Sequence, residues 1–152
     1  MKAQDAIRKA TDYVGVKEFP PNSNNVIFNT WYYHTTVSGS GFPWCAVFIS
    51  FIFAGTKLCL KTASCLKMLE WFEARKQIVK TPAVGDIVFY KFSGNNRRTN
   101  HVGIVAGVKK DGSIIAIEGN TSTGNDCNGG CVMYRERSLK NVVAFARPNY
   151  GV

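Results

Sequence analysis

Gly41-Phe42-Pro43-Trp44-Cys45-Ala46-Val47-Phe48-Ile49-Ser50-Phe51-Ile52-Phe53-Ala54-Gly55 is the stretch on which the fold turns. A loop carrying Gly41 and Pro43 leads into a helix, from about Trp44 to Ala54, that is apolar all round, and Gly55 ends it. Such a helix belongs in a core or a membrane, and this one is too short to span a bilayer. It is therefore expected at the centre of the molecule, with Cys45 in its first turn. The thiolate is the reactive form of cysteine, and a helix N-terminus favours it by stabilising negative charge. The same free N–H groups can hold an oxyanion. Taken alone, Cys45 reads more readily as a small apolar core residue, the commonest fate of a free cysteine.

On the N-terminal side, Ala3, Ala6, Ile7, Ala10, Tyr13 and Val14 recur at helical spacing, and Gly15 follows as a stop. From there to Pro43 the chain is rich in Pro, Asn, Ser, Gly and aromatics, and Pro20 to Asn25 cannot be regular structure. Trp31, Tyr32 and Tyr33 either line a groove or pack their own loop. On the C-terminal side a third helix is expected from about Ser64 to Lys76, capped by Ser64 or Thr62. After Pro82 the period becomes that of strands, expected at 86–92, 101–108, 113–118, 132–137 and 142–146. Helices first and an antiparallel sheet second make an α+β domain. No repeat or linker interrupts it, so residues 1–152 are expected to be one domain.

With 45% apolar residues the chain reads as globular. At 152 residues it can bury enough surface to fold without a disulfide or metal. Charged residues are spread through Met1 to Val14, which lacks the apolar region of a signal peptide. A chain made in a cytoplasm, and staying there unless something else moves it, is expected. The net charge of +9 draws the protein to anionic partners. Lys and Arg are scattered rather than gathered in a stripe, so nucleic acid is not the expected partner. The five cysteines have no C-x2-C spacing and no matching histidine pair, so no metal site is expected. Pairing among Cys59, Cys65, Cys127 and Cys131 is left open.

Two further pieces complete a possible reaction centre. Asn100-His101-Val102-Gly103-Ile104-Val105 opens an alternating strand on one of only two histidines. Gly103 shares a face with His101 and leaves space beside the imidazole. The other histidine, His34, lies in the aromatic loop and is at most substrate-facing. In Ile117-Glu118-Gly119-Asn120, Glu118 and Asn120 also share a face. Either could orient a histidine base, a role open to Asp, Glu or Asn. A four-residue turn over Lys109 to Gly112 pairs 108 with 113. Counting back sets His101 opposite Asn120, and Glu118 opposite Gly103 as a diagonal neighbour of His101. A slip of one residue would put these groups on opposite faces.

These residues resemble the CHAP family, cysteine, histidine-dependent amidohydrolases/peptidases, within the wider group of NlpC-like, papain-like cell-wall hydrolases. The matching stretches are Gly15-Val16-Lys17-Glu18, Pro20-Pro21-Asn22-Ser23-Asn24, Pro43-Trp44-Cys45-Ala46-Val47-Phe48, Gly85-Asp86-Ile87-Val88-Phe89, His101-Val102-Gly103-Ile104-Val105 and Ile117-Glu118-Gly119-Asn120-Thr121. The resemblance implies a papain-like α+β fold and cleavage of an amide bond in bacterial peptidoglycan. It places the nucleophile on Cys45, the base on His101, the orienting acid on Glu118 and a further polar site residue on Asn120. Substrate contacts are expected from Asn25, Trp31, Tyr33 and Trp44, with Asn25 and Asn120 as candidate oxyanion donors. Members are often catalytic domains of phage endolysins or tail-associated lysins; others are bacterial autolysins. Some members bind calcium through an acidic loop before the cysteine. Here that region has only Asp12 and Glu18, so no calcium and no other cofactor is expected. A monomer acting on peptidoglycan is expected, with no membrane insertion; many members carry a wall-binding domain, and here it was removed, is a separate chain, or is replaced by the +9 charge attaching the protein to anionic wall polymers. The rival readings are a cysteine protease or acyl transferase acting on proteins, and a non-catalytic wall-binding module.

Overall fold

The computed structural model describes residues 1–94 and 96–151. Four helices come first: α1 (Ala3–Asp12), α2 (Ile27–Tyr33), α3 (Cys45–Ile52) and α4 (Cys65–Ala74). Six strands follow: β1 (Ile78–Val79), β2 (Ile87–Tyr90), β3 (His101–Val108), β4 (Ile114–Thr121), β5 (Cys131–Arg137) and β6 (Val142–Ala146). They form one antiparallel sheet in the order β1-β6-β2-β3-β4-β5. This is the expected α+β class, in an arrangement consistent with a papain-like fold. No helix among the described residues is long and apolar enough to cross a membrane.

Helix α3 sits where its composition places it. Every residue of it except Phe51 is buried, and it packs on β3 and β4. Its close approach depends on Gly119 of β4. A Cβ there would lie 2.7 Å from Phe48 Cβ, 2.9 Å from Phe48 Cγ and 3.0 Å from Trp44 Cζ3. Gly119→Ala is therefore expected to destabilise the protein by about 1–3 kcal/mol, the usual range for overpacking. Chemical denaturation would show it as a lower midpoint at an unchanged m-value.

Helix α2 lies in a region that the sequence reading left irregular. Its seven residues are too few to display a period, but Phe28, Trp31 and Tyr32 are spaced i, i+3, i+4 and join the core around Phe51. His34, in the left-handed conformation at φ +60, ends it. The short β1 and the 3-10 turn at Leu139–Asn141 were also unforeseen. The expected cap on α4 is Ser64, whose hydroxyl accepts from the Lys67 N–H at 3.1 Å.

The β3–β4 hairpin reaches the expected register by a different route. Val108 pairs with Ile114 and Gly107 with Ile115, so the turn holds one more residue than counted. A bulge at Ala106 absorbs the offset, and Val105–Ala116 and Ile104–Ile117 fall into the counted pairing. One step further, Glu118 lies beside Gly103. The space left by Gly103 is filled by Glu118, whose Cγ would be 2.7 Å from a Cβ built there.

Candidate active site

Cys45 opens α3, after a loop held from beneath. Buried Asn29 donates through Nδ2 to the carbonyls of Asn24 and Phe42, both at 2.9 Å. Trp44, expected to face substrate, is instead fully buried; it stacks on Phe28 and donates through Nε1 to Glu18 Oε2 at 3.1 Å. An indole whose N–H finds a buried carboxylate serves as an anchor for the start of the helix. Glu18 is thus committed to Trp44.

His101 begins β3, wholly buried, with its ring beside Tyr90 and Phe92 at centroid distances of 5.7 and 5.8 Å. Its Nε2 is 2.8 Å from Glu118 Oε1, so the two side chains lie on one face as the register count required. Its Nδ1 is buried with no hydrogen-bond partner among the described residues. A buried polar atom left open costs stability unless it serves something else. The ring favours the ionised form of the Cys45 thiol.

Behind His101 lies a cation that sequence reasoning missed. Arg137 of β5 donates to both oxygens of Glu118, from Nε at 3.0 Å and Nη2 at 2.6 Å, and to Asp126 Oδ1 from Nη1 at 2.7 Å. Its guanidinium also rests over Phe92 and Tyr90, at 4.8 and 5.3 Å from the ring centroids. Burial alone would raise the Glu118 carboxyl, but His101 and Arg137 together hold it below its ordinary value. Arg137 therefore keeps Glu118 ionised and presents it to the ring.

A second thiol was also missed as part of this site. Cys65, the first residue of α4, places Sγ 3.4 Å from Cys45 Sγ. The Cys45 thiol is held well below its ordinary value. The Cys65 hydrogen bond contributes most; His101 and the Ala46 N–H add to it, and burial opposes it. His101 is pushed up to about 9: burial lowers it, but Glu118 and then Cys45 outweigh that. Thiolate and imidazolium therefore coexist over a range that ends as His101 loses its proton near pH 9. Iodoacetamide alkylation of Cys45 is expected to keep a high rate well below the pH at which an ordinary thiol ionises. Cys59, pushed far up by burial, should remain unreactive. A Cys45 profile rising only near pH 8.5 would contradict this.

Cys45 opens on a hollow of about 290 Å3 whose lining includes Pro43, Cys65, Arg97, Asn100 and Cys127. Tyr33 lines a neighbouring hollow that shares Pro43, Ala63, Ser64 and Arg97 with it. Trp31 packs on Phe51 and lies under Lys61 Nζ at 4.6 Å. Asn25 lines a different hollow, with Lys17, Phe19 and Ile27, which Cys45 does not line. Asn120 must also be corrected. The ladder is irregular between Glu118 and Thr121, and Asn120 takes φ +56. Its Oδ1 accepts from the Gly130 N–H at 3.1 Å and its Nδ2 reaches Asn128 at 3.5 Å. It is a buried pin for the loop 121–130. That loop is laced down further by Arg135, which bonds Thr121 Oγ1, the Ser122 carbonyl and Asp126.

A CHAP domain family model matches residues 37–120, more than half of the chain, and the protein belongs to the CHAP family. The match contains Cys45, His101 and Glu118 and stops short of Arg137. No curated protein matches the chain. Membership carries the activity of a cysteine, histidine-type amidohydrolase or peptidase.

Proposed function

We propose that the protein hydrolyses an amide bond in the peptide part of bacterial peptidoglycan, with Cys45 as nucleophile, His101 as base and acid, and Glu118 as orienting residue. One observation carries the reading. The ring of His101 is fastened through Nε2 to Glu118, which leaves Nδ1 open, and the same ring favours the ionised form of the thiol that opens α3. This is the logic of a triad: a nucleophile, a base that can take its proton, and a carboxylate that fixes the tautomer.

In this mechanism His101 Nδ1 holds the proton of Cys45. The thiolate attacks the amide carbon, and the oxyanion develops toward the N–H groups that open α3. Protonated His101 gives its proton to the leaving amine, and water then hydrolyses the thioester. Gly103 is part of the arrangement because Glu118 occupies its missing side chain. Gly103→Ala would put a Cβ 2.7 Å from Glu118 Cγ and 3.1 Å from the Ile117 carbonyl. It is expected to lower kcat sharply with less effect on KM, read by steady-state assay on soluble wall fragments.

The net charge of +9 supports attachment to anionic wall polymers, and a lysin delivered from a phage particle or with host lysis fits the family resemblance. The test is to digest purified peptidoglycan and label the newly exposed amines. New amines on the first alanine of the stem identify an amidase, and new amines within the stem or cross-bridge identify an endopeptidase. If neither kind appears, peptidoglycan is not the substrate.

A further inference from the structure

Two helices, α3 and α4, begin at one point, and each begins with a cysteine: Cys45 and Cys65. The sulfurs are 3.4 Å apart and both residues are buried, yet both line the open hollow of about 290 Å3. A core cysteine serving as an apolar filler has no reason to contact the one thiol proposed to do chemistry. A disulfide needs about 2.05 Å between sulfurs, so closing this pair brings the two sulfurs together by roughly 1.3 Å. All five cysteines are free thiols in this structure.

We propose that Cys45 and Cys65 form a reversible oxidation site, at which a peroxide converts the two thiols to a disulfide and switches the hydrolase off. The switching consequence rests on the hydrolase reading; the oxidation chemistry does not. In the first step the Cys45 thiolate attacks one oxygen of hydrogen peroxide. A sulfur–oxygen bond forms, the oxygen–oxygen bond breaks, and hydroxide leaves as water with the proton held by His101. In the second step the Cys65 sulfur attacks the Cys45 sulfenic acid. The sulfur–sulfur bond forms, the sulfur–oxygen bond breaks, and a second water leaves with the Cys65 proton. Two thiols are oxidised by two electrons, and one peroxide is reduced to two waters. A dithiol reductant reverses the change by exchange. Cys65 is then a resolving thiol, which protects the nucleophile from irreversible oxidation to sulfinic acid.

Cys127 lines the same hollow and is the rival partner. Cys59 is buried and does not line it. The test treats the reduced full chain with hydrogen peroxide, blocks remaining thiols by alkylation, and reads intact mass and peptide linkage by mass spectrometry. The expected result is a loss of two hydrogens, a peptide linked through Cys45 and Cys65, and complete reversal by dithiothreitol. Cys65→Ala, and Cys65→Ser as a second variant, should instead gain oxygen at Cys45 that dithiothreitol does not fully remove. A wild-type protein that gains oxygen at Cys45, or links Cys45 to Cys127, overturns the proposal. The mass readout uses no substrate, so it decides the pair even if the reduced protein cleaves no peptidoglycan, a result that would count against the hydrolase reading instead.

Discussion

Glu118→Gln is expected to lower kcat/KM by about 10^2–10^4-fold, the range over which a positioned acid–base group contributes. The amide keeps the size of the carboxylate but loses its charge. It also meets three N–H donors, one from His101 and two from Arg137, with only one good acceptor oxygen. At least one of those contacts becomes donor against donor. The pH profile supplies a readout that simple loosening of the fold would not move. Glu118 is the main group raising His101 to about 9 against the cost of burial. Without its charge the imidazolium is lost earlier as pH rises, so the alkaline limb of kcat/KM should move to lower pH. An unchanged limb together with a wild-type rate would remove Glu118 from the mechanism. The bidentate Arg137 contact also makes a measurable loss of stability expected for this variant.

Arg137→Met is expected to have the largest effect on stability, about 3–5 kcal/mol, because it takes from a buried carboxylate the permanent one of its two cationic partners. For a chain of this size that corresponds to a fall in Tm of roughly 6–20 °C. Methionine roughly matches the length of the side chain and still covers Tyr90 and Phe92, so the loss reports the charge more than the packing. Combining it with Glu118→Gln should restore part of the stability, since the double variant buries neither charge. The coupling energy from the four-member cycle measures the pair. Additive effects would mean that Arg137 acts through Asp126 and the loop rather than through Glu118.

The parts of this account legible in the sequence share one property: their signal is local. Helix α3 announces itself by being apolar on every side, and β3 by opening on His101 with strict alternation. The meeting of His101 with Glu118 could be counted because a short turn joins their strands. Even there the count succeeded because a bulge at Ala106 offset an extra turn residue. Arg137 was hidden because the loop 122–130 separates β4 from β5, and register cannot be counted across a connection of that length. Cys65 was hidden for a related reason. Its contact with Cys45 joins two helix starts twenty residues apart, and no periodicity encodes that. Asn120 was misread because the ladder breaks after Glu118, so alternation no longer tells which way a side chain turns. Trp44 was misread because an aromatic next to a reactive cysteine looks like a substrate platform, whereas the carboxylate that buries it, Glu18, lies 26 residues upstream.

The central claim is that Cys45 cleaves an amide of the bacterial wall. The most direct measurement incubates purified Gram-positive peptidoglycan with the wild-type protein and with Cys45→Ala, and identifies the soluble fragments by mass spectrometry. The account predicts that the wild type releases peptide-bearing fragments with new amine and carboxyl ends, and that Cys45→Ala, folded as judged by circular dichroism, releases none. The same fragments from both proteins would contradict it.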